Sequence, residues 1–116
     1  TNNFSGLAIG GPGIGNLAKS LLIKQNEIFA NKSTANLFGI NLSGTDACLV
    51  RVYDNSIHHD TCTIGQNIGI MNSINTNLPD SILRNEIYEL RNTIGGSITG
   101  YFKPTISSSN TNVKVI

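Results

Sequence analysis

The sequence has no tryptophan, one methionine, three prolines and two cysteines in 116 residues, and only 13% of its side chains are charged. Each scarcity excludes something. Two cysteines cannot supply the dense disulfide framework on which very small secreted domains depend. Eight basic and seven acidic residues give a formal charge of +1, with no Lys/Arg cluster of the kind that binds phosphate backbones by releasing counterions. Nucleic acid is therefore not an expected partner. No apolar run approaches the roughly 20 residues that cross a bilayer as a helix, so membrane insertion is not expected either. The chain starts at Thr1 with neither an initiator Met nor a basic-then-apolar leader, and reads as processed or as an excerpt.

What is present is isoleucine, glycine and a large stock of uncharged polar side chains. Asn, Ser and Thr carry the polarity that charge does not, and 39% of the residues are apolar. β-Branched residues separated by turn-forming ones favour short strands over long amphipathic helices. Residues 1–16 are rich in glycine and read as a flexible or extended N-terminal arm, and 17–116 as the folded domain. From Leu17 to Asn31 the pattern suits either a helix or strand pieces, with strand preferred.

Period-two alternation predicts strands near 37–42, 47–53, 61–70, 97–103 and 112–116. The Ser43-Gly44-Thr45-Asp46 segment reads as a hairpin turn between the first two. Residues 54–56 read as a second turn, and Gly65 and Gly69 as breaks or bulges in the strand that follows. Residues 72–80 read as a surface connection, and 81–91 as either a short helix capped by Ser81 or a strand over 86–90. Turn signals at this spacing predict a mainly β fold, an antiparallel β-sandwich or jelly roll with an extended Gly-rich arm.

Several segments carry chemistry-bearing residues. Gly13-Ile14-Gly15-Asn16-Leu17-Ala18 matches the G-x-G-x-x-A form of a dinucleotide-binding turn. The acid needed about 20 residues on to hold a ribose is missing, since Ala35 and Asn36 stand there. Gly13 and Lys19-Ser20 have the spacing of a phosphate loop, but Ala18 occupies its second glycine. A Gly-rich arm needs no ligand and is the preferred reading. His58, His59, Asp60 and Cys62 are the one concentrated set of potential metal ligands, weighed against a solvated turn that carries histidines. Cys48 and Cys62 would lie opposite each other if a hairpin centred on Asn55 formed, as a disulfide or as two buried thiols.

No G-x-S-x-G elbow is present. Glu86 and Glu89 would be acid and base only if brought into one cleft, and read more simply as solvated residues flanking Ile87 and Leu90. Tyr53, Tyr88 and Tyr101 with Phe38 and Phe102 could line a sugar-binding face, though core packing is preferred for most of them. No catalytic, cofactor-binding or metal-ligating residue is assigned, and the chain is not expected to be an enzyme.

The segment NLFGINLSGTDACLVRVYDNS, with GGSITGYFKP and the terminal NTNVKVI, resembles the small β-sandwich proteins of tailed-phage virions that decorate capsids or associate with heads. The resemblance covers about residues 36–116. It implies a virion structural protein that binds copies of itself and neighbouring virion proteins, with no catalytic residue carried over. The alternative is an extracellular or cell-surface binding module: an adhesin, a pilus-like subunit or a carbohydrate binder.

Overall fold

The computed structural model describes residues 3–10, 20–44, 49–74, 80–103 and 113–115. Among them every regular element is a strand. The chain enters through β1 (Phe4–Ile9) and then winds through three similar coils. The first contains β2 (Ser20–Lys24), β3 (Glu27–Phe29), β4 (Lys32–Ser33) and β5 (Leu37–Gly44). The second contains β6 (Leu49–Tyr53), β7 (Ser56–His58) and β8 (Thr61–Ile74), and the third β9 (Asp80–Leu83), β10 (Glu86–Tyr88) and β11 (Arg91–Phe102). A last strand, β12 (Val113–Val115), stacks on β9.

Like strands of successive coils pair with one another, which makes three sheets. The long sheet runs β1-β5-β8-β11, with β4 also on β8; the middle sheet runs β12-β9-β6-β2; the short sheet runs β10-β7-β3. All of these pairings are parallel. The fold is a parallel β-helix, a solenoid in which each coil contacts mainly its neighbours. The antiparallel sandwich expected from the alternation is therefore corrected, and the described strands form no jelly roll. Period-two alternation reports a strand with two unlike faces and is silent about the direction of its partner.

Hairpin expectations fail for the same reason. β5 and β6 lie in different sheets, so no hairpin joins them. Cys62 is stacked in register with Ser33 below and Asn92 above, and its thiol is free and buried. Cys48 lies outside the described residues, as do the Gly13–Ala18 turn and Lys19. Over 81–91 the strand alternative holds in shortened form, as β10, and the helix does not. Phe4–Ile9 of the expected arm is a strand paired along β5.

Corners replace hairpin turns. Gln25, Asp54 and Arg84 have φ of 57°, 57° and 53°, and Ala30, His59 and Glu89 have φ of 57°, 58° and 53°. Each is one residue in the left-handed region, which redirects the chain from one sheet into the next. A non-glycine residue there costs about 1–2 kcal/mol, and the residue after each corner in the first set offsets it. Asn55 Oδ1 accepts from the backbone N–H and side-chain Nδ2 of Asn26, at 3.0 and 2.9 Å. Asn85 Oδ1 accepts from the same two groups of Asn55, at 3.0 and 2.9 Å. Asn26, Asn55 and Asn85 thus form a ladder that joins the coils at one edge and satisfies backbone amides freed by the corner.

The interior is a stack of β-branched side chains. Ile23, Val52 and Ile82 lie in register and are almost fully buried, and Ile28, Ile57 and Ile87 form a second column. Each buried aliphatic side chain stabilises by about 1.5–3 kcal/mol. Polar groups interrupt the interior at one end, where the buried Lys103 ammonium lies 2.8 Å from Asp80 and donates to the Ile74 carbonyl at 2.9 Å. Asn72 donates to Asp80 and to the Tyr101 hydroxyl, at 3.1 and 3.2 Å.

Candidate functional site

The short sheet presents the chemistry. Its strands have three residues each, and in each the middle isoleucine points inward. The flanking positions therefore point outward. Parallel register places Glu27, Ser56 and Glu86 in one outward column and Phe29, His58 and Tyr88 in the next. Neighbouring coils are about 4.8 Å apart, and the second column is a stack of rings. Phe29 and His58 lie 5.4 Å apart and 8° from parallel, and His58 and Tyr88 lie 4.8 Å apart and 4° from parallel. Phe29 and Tyr88 remain substantially exposed, at 55% and 43%, while His58 between them is buried. His58 has both faces covered, whereas Phe29 and Tyr88 at the ends of the stack each turn one face onto it.

Hydrogen bonds tie this column to carboxylates from other coils. His58 Nε2 meets Glu27 Oε1 at 3.0 Å. The next residue, His59, occupies the left-handed corner, which turns its ring edge-on to both His58 and Tyr88, at 78° and 76°. His59 Nε2 contacts Glu89 Oε2 directly, and the Nδ1 atoms of the two histidines face each other at 2.5 Å. The result is one chain of contacts, Glu27, His58, His59 and Glu89, that crosses three coils.

The four residues grouped as potential metal ligands are divided by the corner. His58 and His59 point away from the interior, His58 covered between the rings and His59 half-exposed, whereas Asp60 and Cys62 are fully buried inside. Asp60 Oδ1 accepts from the backbone and side chain of Asn31, at 2.9 and 3.1 Å, while Oδ2 has no partner. Burial pushes the Asp60 carboxyl above its ordinary value against the opposing pull of these bonds from Asn31. The Cys62 thiol contacts the Ala35 carbonyl, and burial pushes it upward too. Among the described residues no group of three or more His, Cys, Asp or Glu side chains is placed to hold a metal ion.

The other expectations scatter. Tyr101 points inward to Asn72 and burial raises its hydroxyl pKa. Tyr53 lies under the Arg84 guanidinium, 5.8 Å from its ring centre. Phe38 is buried. Of the five aromatic residues weighed as a sugar-binding face against core packing, Tyr88 alone joins the outward column of the short sheet. Phe29, Glu27 and the pairing of His59 with Glu89 were not visible in spacing along one strand, because their neighbours lie a coil away. Elsewhere, a shallow hollow of about 250 Å3 is lined by Lys32, Ser33, Thr34, Thr61 and Thr63. At the first corner the Arg84 guanidinium grips Asp54 with two bonds, at 2.7 and 3.0 Å, and holds that carboxyl below its ordinary value.

Comparison with known proteins supplies no family. No protein-family model matches the chain, and no significant match is found among curated proteins or solved structures.

Proposed function

We propose that the chain is a surface-displayed binding module that holds a neutral polysaccharide along the outward face of the short sheet. The observation that carries this reading is the paired columns, Glu27-Ser56-Glu86 beside Phe29-His58-Tyr88, on strands in unbroken parallel register. A polymer laid along the solenoid axis meets a similar set of groups at each coil. Carboxylates accept hydrogen bonds from sugar hydroxyls, and the stacked ring edges supply a stiff apolar border. Groups already held by stacking lose little freedom on binding. Glu27, Glu86 and Glu89 make the face acidic, which favours an uncharged polymer over an acidic one.

The test is binding to an array of neutral glycans. Glu86→Gln and Tyr88→Ala should each weaken capture at least tenfold, while Thr93→Ala on the long sheet should leave it unchanged. An array that stays silent, or capture that ignores all three substitutions, would contradict the reading.

A second reading, assembly with copies of itself on a virion or cell surface, draws on the strand edges. Among the described residues, β3 and β10 each pair on one side only within the short sheet, and such edges accept strands from another chain. The virion setting itself rests on the resemblance of the strand pattern over about residues 36–116 to small tailed-phage virion proteins, with which an amide- and hydroxyl-rich surface is compatible. Sedimentation of the purified chain separates the two readings, since glycan capture by a monomer favours the first.

A further inference from the structure

We propose that copies of this chain stack head to tail along the solenoid axis, with the free edge of β11 in one copy pairing with β1 of the next. This mode of assembly rests on the self-assembly reading above and gives it a defined interface.

The two runs of four strands, β1-β5-β8-β11 and β2-β6-β9-β12, are offset from each other by one coil. The long sheet begins one level below the first coil, with β1, and stops at β11 in the third. The middle sheet begins at β2 in the first coil and extends one level beyond the third, with β12. Among the described residues, β1, β2, β11 and β12 each pair on one side only. Shifting a second copy by four coils, about 19 Å at a strand spacing of about 4.8 Å, sets its β1 on β11 and its β2 on β12. Both sheets then continue with neither gap nor overlap, and the new pairings keep the parallel sense found inside the chain. The short sheet alone lacks a strand at the junction.

Side chains of the long sheet record a missing neighbour at each end. Phe4, Leu37, Asn67 and Ile98 form one column, in which Leu37 and Asn67 are fully buried while Phe4 and Ile98 at the ends are 40% and 53% exposed. Stacking in the same register sets Phe4 of one copy on Ile98 of another and Ala8 on Phe102, so apolar groups open at both ends cover one another. Gly6, Gly39, Gly69 and Gly100 form a second column. A Cβ on Gly6, Gly39 or Gly69 would stand 2.9, 2.6 or 2.7 Å from the carbonyl oxygen of the next glycine in the column, whereas one on Gly100 would meet nothing within 4 Å. The open space at Gly100 is where the Gly6 carbonyl of a following copy fits. Such a contact joins unlike surfaces and does not close, so it propagates as a polar fibre.

The test is sedimentation velocity of the full chain across a range of concentrations, with electron microscopy of the product. Wild type should form open-ended fibres that lengthen with concentration and have an axial repeat of about 19 Å. Gly100→Ala should stay monomeric with an unchanged thermal midpoint, because the added methyl meets open space in the monomer and the Gly6 carbonyl in the stack. As a second readout, Phe4→Cys and Ile98→Cys, prepared separately and mixed under oxidation, should cross-link to each other while neither does so alone, since paired strands bring Cα atoms within disulfide reach. Fibres that persist in Gly100→Ala, or a mixture that fails to cross-link, would overturn this stacking while leaving self-assembly through other edges standing. A wild type that stays monomeric at every concentration would overturn both, and would assign the open ends to a different occupant.

Discussion

Asp60 is the residue whose surroundings make the sharpest demand on its chemistry. It follows the second left-handed corner, where its Oδ1 repeats part of the asparagine ladder by accepting twice from Asn31. Its Oδ2 is buried without a donor, and burial raises the carboxyl pKa. A carboxyl raised in the fold contributes stability that is complete below its unfolded value and is lost as pH rises through the folded value. At neutral pH the wild-type chain therefore carries a cost that an amide would not. Asp60→Asn should raise stability at pH 7 by about 1 kcal/mol, an advantage that fades as pH falls through the raised folded value and is gone below the ordinary carboxylate value. Urea midpoints measured across pH check this, and a variant less stable than wild type at pH 7 would count against the buried, unpaired Oδ2.

At the scale of the element, one glycine column decides how closely two sheets approach. A Cβ on Gly69 would stand 2.7 Å from the Gly100 carbonyl and 2.7 Å from Ile87 Cγ2, whereas one on Gly100 would meet nothing within 4 Å. Gly69→Ala is expected to cost about 1–3 kcal/mol by overpacking, while Gly100→Ala changes stability little. Equal denaturation midpoints for the two variants would contradict the close approach of the long sheet to the Ile87 column.

These same segments explain what could be read from the sequence. Strand positions were legible because Phe38, Ile40 and Leu42, or Val50 and Val52, alternate with a local period. Pairing direction was not, because the residues that determine it recur about 30 positions apart. Gln25-Asn26-Glu27-Ile28-Phe29, Asp54-Asn55-Ser56-Ile57-His58 and Arg84-Asn85-Glu86-Ile87-Tyr88 are three copies of one corner and strand. A search for internal repeats would have exposed them. Read singly, each asparagine looks like ordinary turn chemistry. The outward face was hidden for the same reason: Phe29, His58 and Tyr88 are neighbours only after the coils stack.

The whole molecule draws its order from stacking, and this accounts for its unusual composition. Asparagine ladders and isoleucine columns join equivalent points of successive coils, so a chain with few charges and few aromatic residues still builds a continuous interior. In such a solenoid, stability is approximately a sum over coils and the interfaces between them. The last described strand of the long sheet shows the dependence: Ile98 is 53% exposed, whereas Asn67 and Leu37, stacked in register with it on β8 and β5, are fully buried. The most direct test of the parallel stack is a nuclear Overhauser spectrum of the labelled chain, read for backbone contacts between strands. The account predicts that Ser56 contacts both Glu27 and Glu86, and that Val52 contacts both Ile23 and Ile82. Antiparallel backbone contacts between residues 37–42 and 49–53, with none between successive coils, would contradict it.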